Sequence, residues 1–112
     1  MKPELKKRWV KALRSGEFKK GKSYLKQNTP KGPRHCCLGV LCEIQNARMT
    51  LRVFEDAYSE DAYMVGGYSG DLSPSYQKRY GVPEETMCKL INMNDIRSWS
   101  FNRIATWIEK NL

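Results

Sequence analysis

The sequence predicts a single compact α+β domain, in which several short helices pack on a small antiparallel sheet. The chain has 112 residues, near the usual size for one hydrophobic core, and shows no internal repeat or interdomain linker. Apolar residues recur at helical spacing near both ends, while a short central segment alternates like a strand. Apolar residues make up 40% of the chain and charged residues 29%, which is typical of a globular protein. We therefore treat residues 1–112 as one domain.

The first third of the chain predicts one helix followed by irregular structure. Pro3 suits a first helical turn, and Gly16 can adopt the left-handed conformation that ends a helix. The apolar face of this helix comprises Leu5, Trp9, Ala12 and Leu13. Residues 17–33 contain glycines and prolines between lysines, which indicates a turn or short ribbon around Phe18 to Leu25 and then a loop.

The central third predicts a short helix and a pair of strands. A helical pattern runs from Cys36 to about Ala47, and Gly39 within it costs up to about 1 kcal/mol relative to alanine. That glycine would be tolerated if another backbone packs closely against it. Residues 49–54 alternate as a strand, and residues 62–65 form its shorter partner, reached through an acidic turn at 55–61. The glycine-rich residues 66–70 form a loop.

Three helical signals close the chain. Ser73 caps a short helix that ends at Gly81, the segment beginning at Pro83 opens a second helix, and Ser100 caps the last one. Asn92, Asn94 and Asp95 indicate a polar connector between the last two helices. The expected core includes Cys37, Leu41, Ile44, Ile104 and Ile108.

Positive charge is concentrated at the start of the chain. Residues 1–34 hold 12 Lys and Arg and two Glu, a net charge of +10, while the remaining residues carry a net charge of −2. A phosphate-bearing partner, nucleic acid or nucleotide, would suit such a field if the cations gather on one concave surface. A lysine-rich solvated helix explains the same composition equally well. Lys19 to Ser23 resembles part of a phosphate loop but lacks the first glycine and the preceding strand.

The sequence gives no indication of a membrane or an export route. No apolar run approaches the roughly 20 residues that span a bilayer. Lys2 is not followed by the apolar segment of a secretory signal, so we expect a cytoplasmic protein with reduced thiols.

Three of the four cysteines and the only histidine lie between His35 and Cys42. Zinc is not favoured, because Cys36 and Cys37 are adjacent and Cys88 stands alone, so the second pair of ligands is missing. Cysteine catalysis is not favoured either, because no second histidine is available to pair with a thiol. Buried, inert cysteine is the ordinary alternative. We therefore expect no catalytic residue, no metal and no cofactor.

Tyrosines and acidic residues are the remaining candidates. Five tyrosines fall between positions 58 and 80, and such rings recognise proteins and nucleobases as well as filling a core. The acidic pairs at 55–56 and 60–61 have no metal-loop spacing and suit exposed turns.

Several segments at both ends and in the centre of the chain carry a family resemblance: Trp9 with residues 12–16, Gly21-Lys22, Cys36-Cys37-Leu38-Gly39-Val40-Leu41-Cys42, Met93-Asn94-Asp95, and Ser100-Phe101 with residues 104–105 and 107–109. Through these segments the chain resembles a family of small phage and prophage proteins. The double-cysteine segment is the most distinctive of them, and residues 48–80 contribute none. The resemblance implies a viral accessory role in a bacterial host and carries over no site residue.

The leading hypothesis is a non-enzymatic phage protein that counters host functions by binding an anionic ligand in the host cytoplasm. That ligand would be a nucleotide-type signal or nucleic acid. Its expected contacts are Lys19, Lys20, Lys22, Arg34, Tyr24 and Tyr68. One alternative is a protein inhibitor that docks the same basic face onto an acidic host protein. Another is a cysteine- or metal-dependent enzyme.

Overall fold

A computed structural model describes residues 1–52 and 61–112. The helices in these parts are α1 (Pro3–Arg14), α2 (Cys37–Ile44), α3 (Pro74–Tyr80), α4 (Glu84–Ile91) and α5 (Phe101–Asn111). The strands are β1 (Lys26–Thr29), β2 (Gly32–His35), β3 (Thr50–Arg52) and β4 (Ala62–Met64), and they form one antiparallel sheet in the order β2-β1-β4-β3. The predicted α+β class is confirmed.

Strands β1 and β2 form a hairpin where the sequence predicted a turn or short ribbon up to Leu25 and then a loop. Lys26 pairs with His35 and Thr29 with Gly32. Lys26–Thr29 has no apolar residue, so the alternation that identifies a half-buried strand is absent there. The strand forms because its backbone bonds β2 on one side and β4 on the other.

The predicted central strands are confirmed where the structure describes them. Thr50–Arg52 pairs with Ala62–Met64. The end of the predicted first strand, the acidic turn up to residue 60 and Tyr58 lie outside the described residues.

The capping residues that the sequence predicts at the starts of α3 and α5 and at the end of α3 are present. Ser73 Oγ accepts a hydrogen bond from Tyr76 N, and Ser100 Oγ accepts one from Arg103 N. Gly81 adopts a left-handed conformation at the end of α3, with φ of 70°. Among residues 1–52 and 61–112, no helix combines the length and apolarity that crossing a bilayer requires.

The core lies where α1, α2, α4 and α5 meet. Cys37, Leu41, Ile104 and Ile108 are fully buried, as predicted. The prediction for Ile44 was wrong, because the last residue of α2 is only partly buried. Trp9 is also fully buried, and its indole Nε1 donates to the carbonyl of Cys37 at 2.9 Å.

The predicted connector after α4 proves to be a π-helical turn, Asn92–Ile96, that continues the helix without a break. Asn94 within it is fully buried. The turn ends at Arg97, and Ser98 then adopts a left-handed conformation with φ of 53°. Asn94 therefore belongs to the interior of the protein.

Candidate anion-binding site

Asn94 joins three segments that are far apart in the sequence. Its side-chain Oδ1 accepts a hydrogen bond from the backbone N–H of Cys37 at 3.1 Å, at the start of α2. Its Nδ2 donates to the carbonyl of Gly21 at 2.9 Å and to Asp95 Oδ1 at 2.8 Å. All of its side-chain polar atoms are thereby satisfied, as a buried amide requires.

Residues 19–23, which we call the basic turn, are fixed to the π-helical turn and to Ser98 beyond it. Lys20 Nζ donates to the carbonyl of Asn94 at 2.8 Å, and Ser23 N donates to Asp95 Oδ1 at 3.1 Å. Lys22 Nζ bonds Ser98 Oγ. Together with the amide of Asn94, these contacts hold the basic turn in one position.

The other side of the basic turn pairs with β2. Gly21 N donates to the carbonyl of His35 at 2.7 Å, and His35 N donates to the carbonyl of Lys19 at 2.9 Å. Arg34 Nη1 donates to the carbonyl of Lys20 at 3.1 Å. A β-carbon on Gly21 would lie 2.9 Å from Cβ of Arg34, so the absence of a side chain permits this close approach.

Beside this turn, the outer face of the hairpin forms a shallow groove, which we call the hairpin groove. Its cations are Lys22, Lys31 and Arg34, its neutral polar side chains are Gln27 and Thr29, and Gly21 and Pro30 complete it. Among the described residues that line it, none is acidic. Arg34 and His35 point to opposite faces of β2, so the arginine faces the groove while the histidine is buried.

The sequence-predicted site residues are partly brought together. Lys22 and Arg34 line the hairpin groove, while Lys19 and Lys20 lie on the adjoining turn. Burial, and then the charge of Lys22, lower the pKa of Lys20, whose ammonium group braces the turn.

The two tyrosines assigned to the site do not line the groove. The backbone carbonyl of Tyr24 accepts from Cys36 N, and Tyr68 lies on the turn after β4 with 40% of its surface exposed. The groove itself therefore presents cations and neutral polar side chains rather than stacking rings.

Trp99, an aromatic residue that was not among the predicted contacts, directly follows Ser98, the residue that Lys22 bonds. The guanidinium carbon of Arg103 lies 3.9 Å from the ring centre of Trp99, and that of Arg97 lies 5.6 Å from it. The sequence itself shows Arg97 and Arg103 on either side of Trp99. It does not show their relation to the basic turn, because that turn is more than seventy residues away along the chain.

Four other cations of the first third line a second groove, between α1 and α5. It is lined by Lys6, Lys7, Lys11 and Arg14, by Glu109, and by the apolar Met1, Pro3, Val10 and Leu112. It shares no residue with the hairpin groove. The cations of the first third therefore do not gather on one concave surface, as the leading hypothesis required, because α1 carries five of the twelve.

The side chains of Cys36, Cys37 and Cys42 are buried and pack in the hydrophobic core. Burial raises the pKa of Cys36 and of Cys42 to about 12, and raises that of Cys37 well above its ordinary value. Cys36 Sγ accepts the backbone N–H of Gly39 and so caps α2. Cys88 is exposed on α4. In the described parts of the chain, no three His, Cys, Asp or Glu side chains gather in a way that would hold a metal ion.

The only histidine supports the inner face of the sheet. His35 Nε2 lies 2.7 Å from Glu43 Oε2, and Lys26 Nζ lies 3.6 Å from the same oxygen. The ring of Phe18 packs edge-on against the imidazole. These contacts tie β1 and β2 to α2 beneath the hairpin groove.

Comparison with known proteins identifies one family. Residues 1–75 match the domain of unknown function DUF8296, a stretch that includes the basic turn, the hairpin and α2. Asn94 and Trp99 lie beyond the matched residues. No curated protein and no solved structure matches the chain. Because the match spans well over half of its residues, the chain belongs to the DUF8296 family.

Proposed function

We propose that this protein binds a phosphate-bearing ligand, nucleic acid or a nucleotide, in the hairpin groove, and that it does so without catalysing a reaction. The supporting observation is that Lys22, Lys31 and Arg34 line one groove with no described acidic neighbour in its lining. Following its resemblance to small phage proteins, the role we assign is that of an accessory factor in the cytoplasm of the bacterial host. There it would counter host functions by binding the ligand and keeping it from host proteins.

The structure of the groove favours phosphate binding because two of its three cations are held before a ligand arrives. Arg34 is anchored through the carbonyl of Lys20, and Lys22 through Ser98. Little side-chain freedom is then lost on association, which strengthens binding for a given set of contacts. Gln27 and Thr29 add neutral hydrogen-bonding groups beside these charges.

The buried thiols favour binding over catalysis. A cysteine acts as a nucleophile in its thiolate form, and burial keeps Cys36, Cys37 and Cys42 protonated at neutral pH. The exposed Cys88 lies on α4, outside the hairpin groove.

The test is fluorescence anisotropy with a labelled oligonucleotide over a series of salt concentrations. Arg34→Gln should weaken binding about ten-fold, because a charged hydrogen bond to phosphate is lost. Lys31→Gln should lower the slope of log affinity against log salt by about one. Lys11→Gln is the matched control, since it removes the same charge from α1 and should change binding little.

The outcomes separate the site from general charge. Equal losses in Lys31→Gln and Lys11→Gln would mean that net charge alone drives association, and the hairpin groove would be abandoned. No binding of oligonucleotides or free nucleotides at low salt would end the proposal altogether.

A second candidate function is inhibition of an acidic host protein, and the groove between α1 and α5 favours it. Its floor is apolar, formed by Met1, Val10 and Leu112, and Lys6, Lys7 and Lys11 surround it. Such a surface would suit an acidic helix with an apolar stripe. The test is a pull-down from nuclease-treated host lysate. Docking in this groove is supported if the wild type and Lys31→Glu both retain a partner protein that Lys7→Glu loses. A partner lost with Lys31→Glu instead would exclude this groove.

A further inference from the structure

We infer that the ligand of the hairpin groove is a single-stranded nucleic acid, and that one of its bases stacks against the Trp99–Arg103 pair. This inference rests on the proposed function and specifies its ligand. It depends on three features of the structure: the side chains that form the pair, the link between the pair and the groove, and the interactions of Asp95 near that link.

The pair has the composition of a stacking platform. Arg103 lies 3.9 Å from the ring centre of a half-buried Trp99, and the Arg103 side chain is exposed. Nucleobases stack on aromatic rings and on guanidinium planes, and the arginine adds a charge for the adjoining phosphate. Arg97 is a weaker contributor, because it lies farther from the ring and shares a small groove with Glu85.

The platform is linked to the hairpin groove through Ser98. Lys22 lines the groove and bonds Ser98, which is the residue before Trp99. Ser98 takes up a left-handed backbone conformation that few non-glycine residues adopt, and this conformation turns the chain from the π-helical turn toward α5. A strand whose phosphates contact Arg34 and Lys22 would thus continue toward Trp99.

The acidic residue in this region, Asp95, opposes a polyanion only weakly, because the ammonium group of Lys20 lies close enough to offset its charge. Asp95 Oδ1 accepts hydrogen bonds from Ser23 N at 3.1 Å and from Asn94 Nδ2 at 2.8 Å. The carboxylate is thus directed to the junction of the two turns. Lys22, Lys31, Arg34 and Arg103 remain as the charges that face a ligand.

A single strand fits this arrangement better than a duplex or a free nucleotide. In a duplex the bases are stacked on one another, so a side platform has no base to receive. A mononucleotide would not occupy both a groove with three cations and a platform beyond Lys22. The separation of phosphate contacts from the stacking contact therefore indicates a strand.

The experiment compares three probes of equal length: an oligothymidylate, an abasic deoxyribose-phosphate strand and a duplex. The wild type should bind the oligothymidylate most tightly. Trp99→Leu should weaken that binding about 5- to 150-fold, toward the abasic level, and leave abasic binding unchanged, because one base stack contributes about 1–3 kcal/mol. Trp99→Phe, which keeps a ring, should restore most of the affinity.

Matched arginine variants test the platform without altering the tryptophan. Arg103→Gln should reduce the preference for the oligothymidylate over the abasic strand. Arg79→Gln should not, although Arg79 also covers an aromatic ring, that of Tyr76 on α3 at 4.9 Å. If Trp99→Leu loses abasic binding as well, the fold is damaged and Arg103→Gln decides the question.

The failures of the two proposals are distinguishable. Equal wild-type affinity for the oligothymidylate and the abasic strand, or tighter binding of the duplex, would overturn the single-strand inference and leave the phosphate groove intact. Absence of binding to every probe would remove both.

Discussion

Gly39 in α2 lies directly against the backbone of Leu25. A β-carbon built on the glycine would be 1.6 Å from the carbonyl oxygen of Leu25 and 2.5 Å from its carbonyl carbon. The condition under which a glycine is tolerated within α2, close packing of another backbone, is therefore met. This contact brings α2 onto the segment that leads into β1, and so places the hairpin relative to the core.

Gly39→Ala is expected to destabilise the protein by at least about 3 kcal/mol, because the clash is with backbone and no side-chain rotation relieves it. Chemical denaturation followed by circular dichroism measures the change. Gly16→Ala is the control: it has a φ of 78° but no atom within 4 Å, so only the left-handed conformation is penalised, by about 1 kcal/mol. A Gly39→Ala protein as stable as Gly16→Ala would contradict the close packing.

Asn94→Leu is expected to lower the free energy of unfolding by about 3 kcal/mol. The substitution leaves the buried N–H of Cys37 and the carbonyl of Gly21 without their partner. Hydrogen exchange at Cys37 should accelerate, and oligonucleotide affinity should fall because the basic turn is released. Asn92→Leu, at an exposed position on the same π-helical turn, should change stability by less than about 0.5 kcal/mol.

Stability is expected to decrease as the pH falls below the ordinary pKa of histidine. His35 is only 4% exposed, and its burial lowers the pKa of the imidazole below 6.5 despite the opposing effect of Glu43. The unfolded chain then binds the proton more readily than the folded protein does. The contribution of His35 is therefore fully present above about pH 6.5 and is lost as the pH falls through the folded pKa.

The measurement is the urea midpoint of the wild type and of His35→Gln from about pH 8 to about pH 5. Glutamine retains an N–H for Glu43 without titrating. The wild-type midpoint should fall more steeply on the acidic side than that of the variant. Parallel curves would show that His35 does not govern this pH dependence.

One of the four thiols is expected to react with Ellman's reagent in native buffer. Cys88 is exposed, whereas at about pH 8 a thiol of pKa about 12, such as Cys36 or Cys42, is ionised in only about one molecule in ten thousand. Cys88→Ser should remove the fast reaction, and denaturant should expose the other three thiols. A fast thiol that survives in native Cys88→Ser would reopen the case for a reactive cysteine.

The sequence determined those features that depend on neighbouring residues. Ser73 and Ser100 cap α3 and α5 through N–H groups three residues later, so a short stretch of sequence contains the whole interaction. The apolar spacing of α5 likewise shows which side of that helix is buried. Fold class, most helix boundaries and four of the five expected core residues follow from such local signals.

The tertiary structure decided the hairpin, the groove and the role of Asn94. The polar strand Lys26–Thr29 is specified by its hydrogen-bonded partners on both sides rather than by its own side chains. The residues around Asn94 predict a polar connector, yet its side chain forms hydrogen bonds with Gly21 and Cys37, more than fifty residues away. Such contacts form only when the packing of apolar helices brings distant segments together, since hydrogen bonding by a buried amide leaves no periodic pattern in the sequence.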